Sequence, residues 1–207
     1  MNSQKIKSAL RHLKKDKNLR RVIQRHEKPA FNERDPFAAL VSAIIYQQLS
    51  GKAAGTIHKR FLALYSRKKH PAPKDVLKTS DAKFQSVGVS RQKRSYLKDL
   101  SKKFMDSTIV PKKFPKMTDE EIREHLIAVK GIGRWTADMF LMFTLHRPDV
   151  LPTGDLGIQK GFQKLFKLRT LPNALKMEKL AEPWRPHRTV ASWYLWKIVD
   201  TNADSIS

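Results

Sequence analysis

Cysteine is absent from the 207 residues. That gap alone excludes disulfides, thiolate zinc sites, iron–sulfur clusters and a cysteine nucleophile. The seven histidines are scattered and form no close pair at metal-ligand spacing, so no metal site is expected. No apolar run approaches the roughly 20 residues that span a bilayer. Met1–Lys15 has no apolar stretch and no small-residue cleavage site, so no secretory signal is expected. These absences predict a cytoplasmic protein in a prokaryote, or a nuclear one in a eukaryote. There is no internal repeat and no low-complexity tract, and no stretch alternates with period two. Acidic residues are scarce, with 19 Asp and Glu against 42 Lys and Arg, a formal net charge of +23. Such an excess points to a polyanionic partner, nucleic acid first and an anionic membrane surface second. The cations are spread along the whole chain, which suggests a folded surface and not a disordered arm.

What remains is helical periodicity nearly throughout. Lys5–Arg25 sets Ile6, Leu10, Leu13, Val22 and Ile23 among basic residues and predicts one or two amphipathic helices. Asp35-Pro36 reads as an N-cap followed by proline at the first helical position. The helix behind it, Phe37–Gln48, should be largely buried. Gly51–Tyr65 predicts another, and a short one ends near Lys78. Arg91–Met105 follows, with Leu97, Leu100 and Phe104 on its apolar side. Asp106–Lys116, with two prolines, reads as a loop. Thr118 and Glu121 form a capping-box pattern that starts a helix to about Val129. Arg134–Leu145, Asp155–Leu165, Asn173–Glu182 and Pro186–Val199 complete an all-α protein.

Leu126–Ala137 carries the most information. It reads helix, Gly131-Ile132-Gly133 turn, helix. Glycines permit backbone conformations closed to other residues. They also leave no side chain between the backbone and an incoming anion. The first amides of the Arg134 helix have no partner within their own helix, which suits a phosphate. The glycines alone leave three readings open: a simple C-cap and turn, a dinucleotide fingerprint, or a helix-hairpin-helix gripping a DNA phosphate. The fingerprint needs a preceding strand, and Glu120–Val129 reads as a helix. The net charge favours the hairpin.

Four ordered segments then make a resemblance specific. They are Asp35-Pro36-Phe37 with Ile44-Ile45-Tyr46-Gln47-Gln48-Leu49-Ser50; Lys130-Gly131-Ile132-Gly133-Arg134-Trp135-Thr136-Ala137; Leu151-Pro152-Thr153-Gly154-Asp155-Leu156-Gly157-Ile158; and Trp184-Arg185-Pro186-His187-Arg188-Thr189 with Trp193-Tyr194-Leu195-Trp196. The chain resembles the helix-hairpin-helix DNA glycosylases, in particular the DNA-3-methyladenine glycosylase II branch. The family often has proline where this chain has Lys130, a departure that bears on hairpin rigidity. The match begins at Asp35, so the N-terminal β-domain of some relatives is expected to be missing.

The resemblance implies two helical subdomains with an active-site cleft between them. One is expected at 35–130. The other should combine 1–34 with 131–207, the hairpin lying at the junction. The resemblance also implies excision of alkylated bases from double-stranded DNA by hydrolysis of the N-glycosidic bond, by a monomer with no membrane partner. The rivals are a non-catalytic hairpin DNA-binding protein and a glycosylase for mismatched or oxidised bases. The catalytic aspartate falls on Asp155, which the residues alone would read as an N-cap. Base loss develops positive charge on the sugar, and a fixed carboxylate stabilises it or activates water.

In relatives that also cut the strand, a nucleophilic lysine occupies the Trp135 position, so no lyase activity is expected. Trp135, Met139 and Trp196, with Trp193 nearby, would line the base pocket; core packing is the competing reading for each. Gln48, or alternatively Leu49, would plug the gap left by a flipped base. Gln47 either joins them or bonds free carbonyls at its helix end. Ser50, Lys52 and Thr136 are candidate phosphate contacts beside Gly131 and Gly133. Arg188 is expected in a structural ion pair. No organic cofactor is expected; relatives hold a monovalent cation on hairpin carbonyls, and that cation is the one candidate here.

Overall fold

The computed structural model describes residues 1–65 and 69–200, so 201–207 of the expected second subdomain lie outside the described residues. Most of the helices below start at a side-chain N-cap. Asn2 and Asp16 start α1 (Ser3–Leu13) and α2 (Lys17–Arg25). Asp35, with Pro36 behind it, starts α3 (Pro36–Tyr46), and Ser50 starts α4 (Gly51–Ala63). Two short helices follow, α5 (Pro73–Lys78) and α6 (Asp81–Ser86), then α7 (Arg91–Met105) capped by Ser90. The capping box of Thr118 and Glu121 opens α8 (Asp119–Ile127). The chain continues with α9 (Arg134–Phe143), α10 (Leu156–Leu165) capped by Asp155, α11 (Ala174–Ala181) and α12 (Arg188–Asp200). No strand occurs among the described residues.

Two local expectations shift. The proline-rich 106–116 segment is not all loop, because Pro111–Lys116 closes into a 3-10 helix over buried Phe114. The last long helix starts at Arg188, two residues after the proline at 186.

The chain forms two units, Met1–Glu33 with the chain from Leu141 onward, and Arg34–Phe140. The second boundary thus lies at Phe140 and not near Lys130. The hairpin and the start of α9 stay with α8 because Val129, Ile132 and Ala137 are buried and Asp138 pairs with Arg123 at 2.6 Å. In the unit formed by both chain ends, Leu10, Leu13 and Leu19 pack with Ile158, Phe162, Trp184, Tyr194 and Leu195 in one apolar cluster. The Trp184 indole, within that cluster, donates to Asp16 at 2.9 Å. In the Arg34–Phe140 unit, Leu40, Ile44, Ile45, Phe61, Phe84, Leu97 and Leu100 are fully buried. The Phe61 and Phe84 rings stack there with centroids 6.2 Å apart.

Candidate active site

The predicted residues fall into two groups, one per unit. In the Arg34–Phe140 unit the hairpin is built from Val129 to Gly133. The Ile132 amide donates to the Val129 carbonyl (3.1 Å), and the Ala137 amide to the Gly133 carbonyl (3.0 Å), which closes the first turn of α9. Gly131 takes the left-handed φ of +80°, and a Cβ there would sit 2.1 Å from the Tyr96 ring. Gly133 differs: nothing lies within 4 Å of its would-be Cβ. Its φ is not among the positive ones. The turn therefore requires glycine at 131 for conformation, whereas at 133 a side chain would matter only to something arriving from outside.

Gln47 and Gln48 end α3 in different ways. The Gln47 side chain donates to the Gly131 carbonyl at 2.7 Å, so it braces the hairpin. Gln48 is exposed, with φ +55°, and Leu49 beside it is 40% exposed. Ser50 uses its hydroxyl to cap α4 through the Ala53 amide (3.4 Å), and Lys52 is exposed in the first turn of α4. Gln47, Gln48, Gly131, Gly133 and Thr136 line one shallow concavity with Lys93 and Tyr96 of α7. Thr136 is buried. Trp135 is 52% exposed. Met139, half-buried, lies one turn further along the same face of α9.

Asp155 and Trp196 meet in the other unit. A turn closed by the Asp155 amide on the Pro152 carbonyl (3.0 Å) presents the carboxylate at the head of α10. Its Oδ1 accepts the Ile158 amide at 2.8 Å and the Trp196 indole N–H at 2.9 Å. The N-cap reading and the catalytic reading thus describe the same side chain. Phe143 packs against Trp196, with ring centroids 5.9 Å apart. Gly157 makes room for this arrangement, because a Cβ there would lie 2.8 Å from Trp196 Cδ1 and 3.0 Å from Asp155 Oδ1. On the expectation that Asp155 is the catalytic carboxylate, Gly157→Ala should push the indole away and lower the single-turnover rate roughly 10²-fold, the scale for loss of one fixed donor, while circular dichroism stays native.

The approach to Asp155 is fixed by α12. Thr189 accepts the Val150 amide (3.0 Å) and donates to the Arg147 carbonyl (2.6 Å). Arg188 is buried in the expected ion pair, with Nε 2.8 Å from Asp149 and Nη1 2.6 Å from Glu178. Trp193 has a different setting from Trp196. Lys197 Nζ lies 4.9 Å from its ring centroid and Tyr194 packs against it edge-on, so its face already holds a cation.

Sequence reasoning missed Lys93, Tyr96 and Asp99 on α7, and the pair of Arg123 with Asp138. Burial pushes the Asp138 carboxyl up, against the pull of Arg123. Polar residues at three-residue spacing on a helix read as a solvated face, and only the tertiary contacts show otherwise. No group of three or more His, Asp or Glu that could hold a metal ion occurs among the described residues. No described helix is long and apolar enough to cross a membrane.

A helix–glycine hairpin–helix followed by a carboxylate at the head of a later helix defines a class of protein. Residues 41–186 match the model of the HhH-GPD superfamily of base excision DNA repair proteins, and the chain belongs to that family. It is 34% identical to DNA-3-methyladenine glycosylase 1 of Schizosaccharomyces pombe, covering 81% of this chain and 74% of the relative. Among solved structures, the 3-methyladenine DNA glycosylase of S. pombe in complex with abasic DNA superposes with a TM-score of 0.80 at 33% identity, covering 92% of this chain and 95% of the other. The DNA-3-methyladenine glycosidase from Bacillus halodurans gives 0.83 at 33% identity, covering 93% and 89%.

Proposed function

We propose that the protein is a monofunctional DNA glycosylase that removes alkylated bases, of the 3-methyladenine and 7-methylguanine type, from double-stranded DNA. The observation that carries this reading is Asp155, a carboxylate clamped at one oxygen by the Ile158 amide and the Trp196 indole. Two fixed donors hold the group in place, so little reorganisation is needed when charge develops beside it.

The scheme runs as one hydrolysis. The base leaves the stack, and Gln48 or Leu49 fills the gap. Trp196, which donates to Asp155 within the same unit, offers aromatic surface to the extruded base. An aromatic face favours a cationic purine by about 0.5–2 kcal/mol. The glycosidic electron pair departs with the alkylated base and neutralises its charge. Positive charge then develops on the sugar opposite Asp155. A water oxygen bonds to the anomeric carbon, and its proton passes to Asp155 or to solvent. Trp193 carries Lys197 Nζ 4.9 Å from its ring centroid, so one of its faces already holds a cation. No step uses an organic cofactor.

For the monovalent cation, the ligands would be hairpin carbonyls. Those of Val129 and Gly131 each accept one hydrogen bond and keep a second lone pair, a neutral oxygen set that suits a weakly held cation. No step is routed through it.

The test is the fate of the strand. With Trp135 in place of a lysine nucleophile, methylated duplex should yield free base and an intact strand bearing an abasic site. Borohydride should trap no protein–DNA adduct. Trapping together with nicking would show that an amine of this chain attacks the sugar, and the monofunctional reading would fail.

A further inference from the structure

The hairpin and the loop after α3 are fastened to the same helix. Lys93 Nζ donates to the Ile45 carbonyl at 2.7 Å and the Gln47 carbonyl at 2.8 Å. These lie at and just past the C-terminus of α3, where carbonyls lack helical partners and a cation is favoured. Gln47 passes the link on through its side-chain bond to the Gly131 carbonyl. Tyr96, the next turn of α7, packs its ring against Gly131, and Gln92 holds its hydroxyl at 2.6 Å. Asp99, one turn further, accepts the Lys130 amide at 2.8 Å. Residues 93, 96 and 99 run along one edge of α7.

The loop needs such a fastening. Gln48 follows the gripped carbonyl directly and holds φ +55°. A residue other than glycine keeps that conformation only where its surroundings over-determine it. Lys93 supplies two charge-assisted bonds at that point. No acidic side chain takes part in them: both acceptors are backbone oxygens, which fits a role in shaping the loop.

We infer that Lys93 is a positioning residue: through the Gln47 backbone it sets the Gln48–Leu49 loop against the hairpin, so that the phosphate anchor and the plug act as one rigid piece when a base leaves the stack. The inference rests on reading Gln48 or Leu49 as that plug.

The experiment compares two duplexes, 7-methylguanine paired with cytosine and 7-methylguanine opposite a tetrahydrofuran abasic analogue. In the second the lesion is unpaired and leaves the stack at lower cost. Single-turnover rates are measured for the wild type, Lys93→Met, and Lys93→Arg, which keeps charged donors. Lys93→Met should lose roughly tenfold or more on the paired lesion, the scale of lost charge-assisted bonds, and under about twofold on the unpaired one. Lys93→Arg should recover most of the loss. In a Gln48→Ala, Leu49→Ala background, Lys93→Met should add little further loss, because residues acting through one element are not additive. Lys93→Gln replaces Lys93→Met if the latter does not fold. Equal losses on both duplexes, or full additivity with the loop variants, would overturn the positioning role while leaving the glycosylase reading intact. A wild type that releases base from neither duplex would overturn both.

Discussion

Asp155→Asn should leave the protein folded and able to bind DNA, yet cut single-turnover base release by roughly 10²–10³-fold, the scale seen when one fixed electrostatic element of a catalytic site is lost. Asparagine keeps an oxygen that can accept the Ile158 amide and the Trp196 indole. The cap of α10 and the position of the indole therefore survive, and Asn caps a helix about as well as Asp. Only the negative charge goes. Without it the sugar cation has no counter-charge at the head of α10. Rates on a 7-methylguanine duplex with enzyme in excess, together with a thermal midpoint, separate the two effects. A near-normal rate would remove Asp155 from the chemistry.

The second large effect separates two glycines of one turn. Gly131→Ala should lower the melting temperature by roughly 5–15 °C, given the few degrees per kcal/mol expected for a chain of this size. The positive φ costs an L-residue about 1–2 kcal/mol, and forcing a methyl group into the Tyr96 ring adds about 1–3 kcal/mol. Relief would require Tyr96 to give up its bond to Gln92 or the hairpin to leave Asp99.

Gly133→Ala should do the reverse. Its methyl group meets no atom of the protein within 4 Å, so stability should hold. If the hairpin holds a DNA phosphate, the group stands in the way of the first amides of α9, so affinity should fall roughly tenfold on damaged and undamaged duplexes alike. The remaining binding should still weaken steeply with salt, through the distributed cations. Binding isotherms and melting curves for both variants decide it. Loss of binding without loss of stability at Gly131, or loss of stability at Gly133, would exchange the two roles.

The legible parts of this molecule share a feature: their signal is local. Asp35-Pro36, the Thr118–Glu121 box and Asp155 each announce a helix start within four residues, and each helix begins there. The Gly131-Ile132-Gly133 turn is legible for the same reason. The residues that support the site were not legible because their partners are distant in sequence. Lys93 finds its acceptors 48 and 46 residues away, and Trp196 finds Asp155 across 41. No periodicity encodes such pairs. Trp193 and Trp196 look alike in sequence, three residues apart, yet one lies under Lys197 and the other donates to the carboxylate. The end of the Arg34–Phe140 unit is not legible in the sequence, because the Arg123–Asp138 pair, invisible as a motif, ties the start of α9 to α8.

The central claim is tested most directly by free-base release from three otherwise identical duplexes, each with one modified position: 7-methylguanine, 8-oxoguanine, or a normal guanine mispaired with thymine. The account predicts chromatographically detectable free 7-methylguanine from the first, leaving an abasic strand, and no base above the uncatalysed background from the other two. Release from the oxidised or mispaired duplex in preference to the alkylated one, or binding to all three with release from none, would contradict it.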